Sequence, residues 1–156
     1  MKFKISYFYN VRHLKPYQVP VSTAMFDPKW FHNNRGSNHI FIDKNGVING
    51  IRAEVLVPDS TCHNLCQGRE KCYTHPEICA FLKAYREQLS KLDFGDVTNR
   101  ITQGIHNIVT KNSMYTGEEP EVILLVYETP SNLCSEREPL KNWFLSHGCL
   151  LEEFKA

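Results

Sequence analysis

Four cysteines and two histidines within eighteen residues are the side chains of this chain best suited to hold a metal. They lie in the stretch CHNLCQGREKCYTHPEIC, and the cysteines have the spacing C-x3-C-x5-C-x6-C. Four thiolates from one loop can surround a tetrahedral zinc ion at roughly 2.3 Å, and such a closed site leaves no position for a substrate. The spacing therefore predicts a structural zinc site on Cys62, Cys66, Cys72 and Cys79.

Two alternatives to this zinc site stay open. Four cysteines can also hold an iron–sulfur cluster, which is the less favoured metal group, and His63 or His75 can replace one thiolate around zinc. Free thiols, with Cys79 packed in the core, require no metal at all. Disulfides are disfavoured because the opening MKFKISYFYNVRH lacks the apolar run and cleavage site of an export signal. We therefore expect a cytoplasmic protein.

The second segment with chemical potential is VILLVYETPSNLCSEREPLKNWF, which begins at position 122. An uninterrupted apolar run, typical of a buried strand, leads through Tyr127 into a short loop and then a helix. Ligands bind at the carboxyl ends of such strands, where the N–H groups of a helix N-terminus attract anions. Ser135 is the predicted N-cap, and Glu138 completes a capping box.

Three residues of this segment are candidates for catalysis. Glu128 could act as a base or hold a hydroxyl group, and Arg137 could clamp a phosphate or carboxylate. Cys134, beside the positive end of the helix, could be a reactive thiolate. Arg137, Cys134 and Ser135 have ordinary alternatives: an ion-paired surface residue, a small buried hydrophobe and a cap alone, respectively.

Polar residues in and just after the first predicted strand could face this segment. Ser6, Tyr7 and Arg12 are candidates for ligand contacts, together with Tyr127 and Ser135. Since Arg12 and Arg137 would jointly suit an anion, we predict a small anionic ligand, a nucleotide or nucleoside derivative. Trp30 is expected to be a packed anchor rather than a platform for base stacking.

Alternating strands and helices must position these residues. The sequence predicts strands over 4–9, 19–24, 39–43, 47–51, 54–57, 121–127 and 150–154, and helices over 76–92, 96–109 and 135–147. A hairpin signal, Lys44-Asn45-Gly46, joins two of the strands. We predict one α/β domain over residues 1–156, a three-layer mixed sheet with flanking helices, with the Cys/His metal-binding loop inserted at about 59–79.

Four motifs occur in order along most of the chain. They are S-Y-F-x-x-V-R-x-L at 6–14, V-P-V-S-x-A-x-x-x-P-x-W-F at 19–31, K-L-D at 91–93, and L-L-V-Y-E-T-P-S-N-L-C at 124–134 before a helix containing N-W-F. Together they resemble the domain-of-unknown-function 488 family (the YeaO-like proteins). The resemblance implies an α/β fold and a small-ligand pocket, and it supplies no activity.

The chain departs from that family at three places. Met25 stands where the family usually has Arg, and Val126 stands where it has Cys. The family's Cys-His-Arg is replaced by C-S-E-R at 134–137, so no histidine base is available there. The Cys/His loop resembles an insertion of a subgroup.

Charge restricts the partners. The net charge of +1 argues against a generic nucleic-acid coat or a membrane-surface protein, and no apolar run is long enough to cross a bilayer. A local basic face is still compatible with this balance. The alternative function is therefore a non-catalytic module that contacts nucleic acid through Arg69 and Lys71 of the Cys/His loop, or that contacts a partner protein. The oligomeric state is not predicted.

Overall fold

The computed structural model describes residues 1–59, 79–111 and 117–156. In this part of the chain a five-stranded sheet forms the centre, with strands β1 (Lys2–Tyr7), β2 (Gln18–Ser22), β5 (Ile51–Arg52), β6 (Glu121–Val126) and β7 (Glu152–Glu153) in the order β5-β2-β6-β1-β7. A separate two-stranded sheet pairs β3 (Phe41–Ile42) with β4 (Ile48–Asn49).

The five-stranded sheet is entirely parallel, which differs from the mixed sheet predicted above. The predicted hairpin exists, but β3 and β4 form their own small antiparallel sheet instead of joining the larger one. Sequence patterns that identify strands do not state their partners, and β5 and β7 are only two residues long. The α/β class is confirmed and the mixed sheet is corrected to a parallel one.

Strand β6 lies in the middle of the sheet, between β2 and β1, and all six of its residues are buried. Val122, Leu124 and Val126 pack into a large core with the helices, whereas Ile123 and Leu125 pack into a smaller core on the other face. An apolar run without polar alternation requires cover on both faces, as the sequence predicted.

Three α-helices are described: α1 (Ala80–Ser90), α2 (Phe94–Lys111) and α3 (Arg137–Ser146). Their buried residues follow the helical period, for example Phe81, Tyr85 and Leu89 on α1. Shorter 3-10 turns occupy Phe8–His13, Lys29–His32 and Glu54–Leu56. No helix within the described ranges is long and apolar enough to span a membrane.

Parallel pairing brings the carboxyl ends of β1, β2, β5 and β6 to one edge of the sheet. The segments that follow these strands therefore meet there, and ligand sites of open α/β sheets form at such an edge. This edge is therefore the expected place of the functional site.

Candidate functional site

A cavity of about 340 Å³ lies where the chain leaves β2 and β6. This volume falls at the lower end of the range for small-molecule sites, roughly 300–1,000 Å³. Most of its walls are apolar, and the polar side chains come from the segment between β6 and α3. Its lining residues are Ala24, Met25, Phe26, Pro58, Phe81, Tyr127, Glu128, Cys134 and Glu136.

Two carboxyl groups, those of Glu128 and Glu136, line this cavity. Glu136 is 7% exposed, and the Oε2 atoms of both residues are buried with no hydrogen bond to any other described group, while the two carboxyl groups lie within hydrogen-bonding reach of each other. Burial, followed by the charge of Glu128 beside it, raises the pKa of Glu136 to about 8. At neutral pH Glu136 is therefore mostly protonated, so this site offers one O–H donor and several acceptor oxygens.

Arg137 lies in the interior and not in the cavity wall. Its side chain is 4% exposed, its Nη1 donates to the carbonyl oxygen of Glu128 at 2.9 Å, and its Nε lies 2.5 Å from Oε1 of Glu153. The guanidinium thus joins the end of β6 to β7. This arrangement favours a positioning role over the anion clamp predicted from sequence.

The loop before α3 differs from the predicted capping box. Glu136, rather than Ser135, is the N-cap residue, and it makes no side-chain cap. Ser135 is buried and its Oγ accepts the N–H of Arg137 at 3.2 Å, while Glu138 is exposed in the first turn. Cys134 is half-buried in the cavity wall, and its N–H donates to Oδ1 of Asn132 at 3.0 Å.

The predicted residues near β1 lie elsewhere. Ser6 is fully buried and its Oγ accepts a hydrogen bond from Nδ2 of Asn10 at 3.0 Å. Tyr7 and Arg12 line a second, shallower depression, which shares only Tyr127 with the carboxyl cavity. The structure therefore brings Glu128, Cys134 and Tyr127 together in one cavity, and of these three only Tyr127 also lines the depression that holds Arg12.

A buried polar network beside the cavity has no counterpart in the sequence analysis. Asp27 accepts from Oγ of Ser22 at 2.5 Å, pairs with Nη1 of Arg52 at 2.7 Å, and lies 2.7 Å from Nε2 of His32. Burial lowers the pKa of Arg52, but hydrogen bonds to Glu54 and Asp27 outweigh this effect and raise it above its ordinary value.

This network fixes the segment after β2, which supplies Ala24 and Phe26 to the cavity wall. Arg52 also donates to the carbonyl oxygen of Ala24 at 2.9 Å. Asp27 was not among the predicted site residues, since nothing in the residue pattern pairs it with an arginine that lies on β5.

Most of the predicted metal ligands lie outside the described residues, namely Cys62, Cys66 and Cys72. Cys79 is 5% exposed at the start of α1 and packs in the main core. Within residues 1–59, 79–111 and 117–156, no group of three His, Cys, Asp or Glu side chains could hold a metal ion. The zinc site therefore stays a prediction from the sequence.

The fold and the cavity define an α/β protein with a parallel sheet and a ligand-sized site at its carboxyl edge. No protein-family model, curated protein or solved structure matches the chain. The resemblance to the domain-of-unknown-function 488 family consequently stays a prediction, and function must be argued from the site itself.

Proposed function

We propose that this protein binds a nucleoside-type ligand, with the nucleobase in the carboxyl cavity. The observation that carries the proposal is a pair of adjoining carboxyl groups, those of Glu128 and Glu136, which have no side-chain partner beyond each other in an otherwise apolar cavity. One shared proton leaves several of their acceptor positions without a donor. A ligand that presents N–H donors would satisfy these positions.

The chemistry of the walls supports a flat, nitrogen-rich group. Phe26 and Phe81 offer apolar surface to a ring, while the carboxyl pair complements an edge that carries an amino group and a ring nitrogen. Glu136 in its protonated form donates to the ring nitrogen, and Glu128 accepts from the amino group.

The same charges exclude a phosphate from the interior of the cavity. Glu128 would repel it, and Arg137 is already bonded to Glu153 and to the backbone. We therefore retain the nucleotide or nucleoside class predicted from sequence and assign any anionic group to the outer side of Tyr127, where Arg12 lies.

A second candidate function is acid–base catalysis on the bound ligand. It is favoured by a protonated carboxyl, Glu136, beside a second carboxyl and a thiol, Cys134, in one cavity. Such a set could protonate a leaving nitrogen while the second carboxylate activates water. A Cys134→Ala variant that turned over substrate normally would remove the thiol from this chemistry.

Two further sequence predictions are retained as proposals. We infer from the spacing of Cys62, Cys66, Cys72 and Cys79 that the Cys/His segment binds structural zinc, and from the four motifs that the chain is related to the domain-of-unknown-function 488 family. Neither bears on the chemistry of the cavity.

Binding is tested by titrating adenosine, guanosine, cytidine and uridine at up to millimolar concentration, using calorimetry and the shift in melting temperature. At least one should bind. Glu128→Gln should weaken binding about tenfold or more because a charged acceptor is lost, and Glu136→Leu should do the same because the O–H donor is lost. Glu138→Gln, which changes an exposed glutamate on the same helix, is the matched control. No binding of any of the four, or equal affinity in all variants, would overturn the proposal.

A further inference from the structure

On the other side of Tyr127 from the carboxyl cavity lies a shallow depression of about 500 Å³, which we call the aromatic groove. Its floor and walls are formed mainly by rings, with one guanidinium group at the rim. Its lining residues are Tyr7, Phe8, Tyr9, Arg12, Pro28, Trp30, Tyr127 and Thr129.

Three of these rings are exposed although they are well supported. Tyr9 is 55% exposed, Trp30 43% and Tyr127 59%. The buried ring of Phe8 lies beneath them and makes edge-on contacts, with centroid distances of 6.2 Å to Trp30 and 5.7 Å to Tyr127. Large aromatic surface held in place and left open to water is not explained by folding, and patches of this kind mark interaction sites.

One cation, Arg12, lines the aromatic groove and a second, Lys44, lies in a neighbouring depression, and neither has an acidic partner within the described ranges. The guanidinium carbon of Arg12 lies 3.9 Å from the centroid of the Tyr9 ring, and Arg12 Nε donates to the carbonyl oxygen of Tyr9 at 3.1 Å. A neighbouring depression, also lined by Arg12, adds His13 and Lys44.

The acid in that depression, Asp43, is occupied internally. It accepts hydrogen bonds from the backbone of Asn45 and Val47 and from the side chain of Asn49. Across the described ranges neither Arg12 nor Lys44 forms an ion pair. The positive charges beside the rings are therefore available to an anionic partner.

We propose that the aromatic groove is a binding site for single-stranded nucleic acid. Bases stack on Trp30 and on the Tyr9 ring away from the face that Arg12 covers, and the backbone phosphates contact Arg12 and Lys44. Stacking on aromatic side chains needs no particular base sequence, because every base has a flat π-face. A duplex keeps these faces covered, so the groove selects single strands.

Trp30 is an exposed ring rather than the packed anchor expected from the sequence. The strand-binding proposal does not rest on nucleoside binding, because the aromatic groove and the carboxyl cavity share only Tyr127 and a nucleoside carries no phosphate for Arg12 to contact. Glu128→Gln should leave strand binding unchanged, and Tyr9→Ala should leave nucleoside binding unchanged, so either proposal can fail without the other.

The test is fluorescence anisotropy with a labelled oligothymidylate of about twelve nucleotides at low salt. Tyr9→Ala and Trp30→Ala should each weaken binding about 5- to 100-fold, the loss expected for one stacked base. Arg12→Gln should reduce the slope of log affinity against log salt by about 0.7. Leu150→Ala removes a large exposed side chain outside the groove and should change nothing.

A second measurement does not depend on removing a ring. Strand binding should quench the fluorescence of Trp30 when a base stacks on its ring. The change can be assigned to Trp30 because the other tryptophan, Trp143, is only 7% exposed and lies in the core. Trp30→Phe keeps a stacking surface and should keep most of the affinity while losing the quench. The proposal is overturned if the strand does not bind at low salt, if Leu150→Ala weakens binding as much as Tyr9→Ala, or if a duplex or thymidine monophosphate binds as tightly.

Discussion

The burial of the Glu136 carboxyl could not be predicted from the sequence. A glutamate next to the start of a helix looks like an exposed residue, yet its carboxyl is almost fully buried against Glu128 in an apolar wall. Tyr127, Glu128 and Cys134 were predictable because they follow one another along one segment. Glu136 and the aromatic walls were not, because their positions depend on how distant segments pack.

We predict a pH dependence of stability that belongs to Glu136. Its pKa is about 8 in the folded chain against an ordinary value of 4.5, so the folded state binds more protons between these values. The free energy of unfolding should therefore fall as pH rises from 5 to 8, by an amount on the order of 3 kcal/mol. Urea unfolding at several pH values measures this.

The comparison that isolates this effect is with Glu136→Gln, which keeps the shape of the side chain and cannot ionise. The variant should lack this part of the pH slope and should exceed the wild type in stability above pH 8. Exposed Glu138→Gln should keep the wild-type slope. Identical slopes in wild type and Glu136→Gln would contradict burial of an ionisable Glu136.

At the scale of elements, local patterns predicted strands and helices better than they predicted partners and ends. The apolar run of β6 identified a strand covered on both faces, and the structure confirms it. The start of α3 was placed too early, because Ser135 can accept an N–H of the first turn without being the N-cap. Parallel pairing was missed because β5 and β7 are too short to show a pattern.

The segment between β2 and the turn Lys29–His32 depends on Asp27, and this dependence can be tested. Asp27→Asn retains the shape but removes the charge that pairs with Arg52 and His32. We expect a loss of roughly 1–3 kcal/mol in the free energy of unfolding, since Arg52 loses its buried carboxylate partner and keeps only that of Glu54, which is 73% exposed. Nucleoside affinity should fall as well, because the Ala24–Phe26 wall loses its support.

Asp96→Asn is the matched control for that variant. Asp96 pairs with Arg100 on the surface of α2, and its side chain is 58% exposed, so its loss should cost less than about 1 kcal/mol. Equal losses in the two variants would show that the Asp27 network contributes no more than a surface pair. Unchanged nucleoside binding in a folded Asp27→Asn chain would separate the network from the site.

For the whole molecule, the zinc prediction is the most direct to measure. Native mass spectrometry of the freshly purified chain, with elemental analysis of the same sample, should give one zinc ion per chain. Replacing Cys66 by Ser should abolish it, whereas Cys149→Ser, an exposed cysteine far along the chain, should not. A metal-free chain with titratable thiols would contradict the zinc site and support the alternative that these cysteines are free thiols.

The position of β6 between β1 and β2 also governs when the chain can fold. Lys2 pairs with Glu121, 119 residues later, and β2 pairs with the same late strand, while β1 and β2 are not neighbours. The entropy cost of closing such long loops must be met before strand pairing contributes any stabilising free energy, and this slows folding. During synthesis the two N-terminal strands therefore wait for most of the chain to emerge from the ribosome, and a nascent chain that ends before Glu121 cannot assemble the sheet.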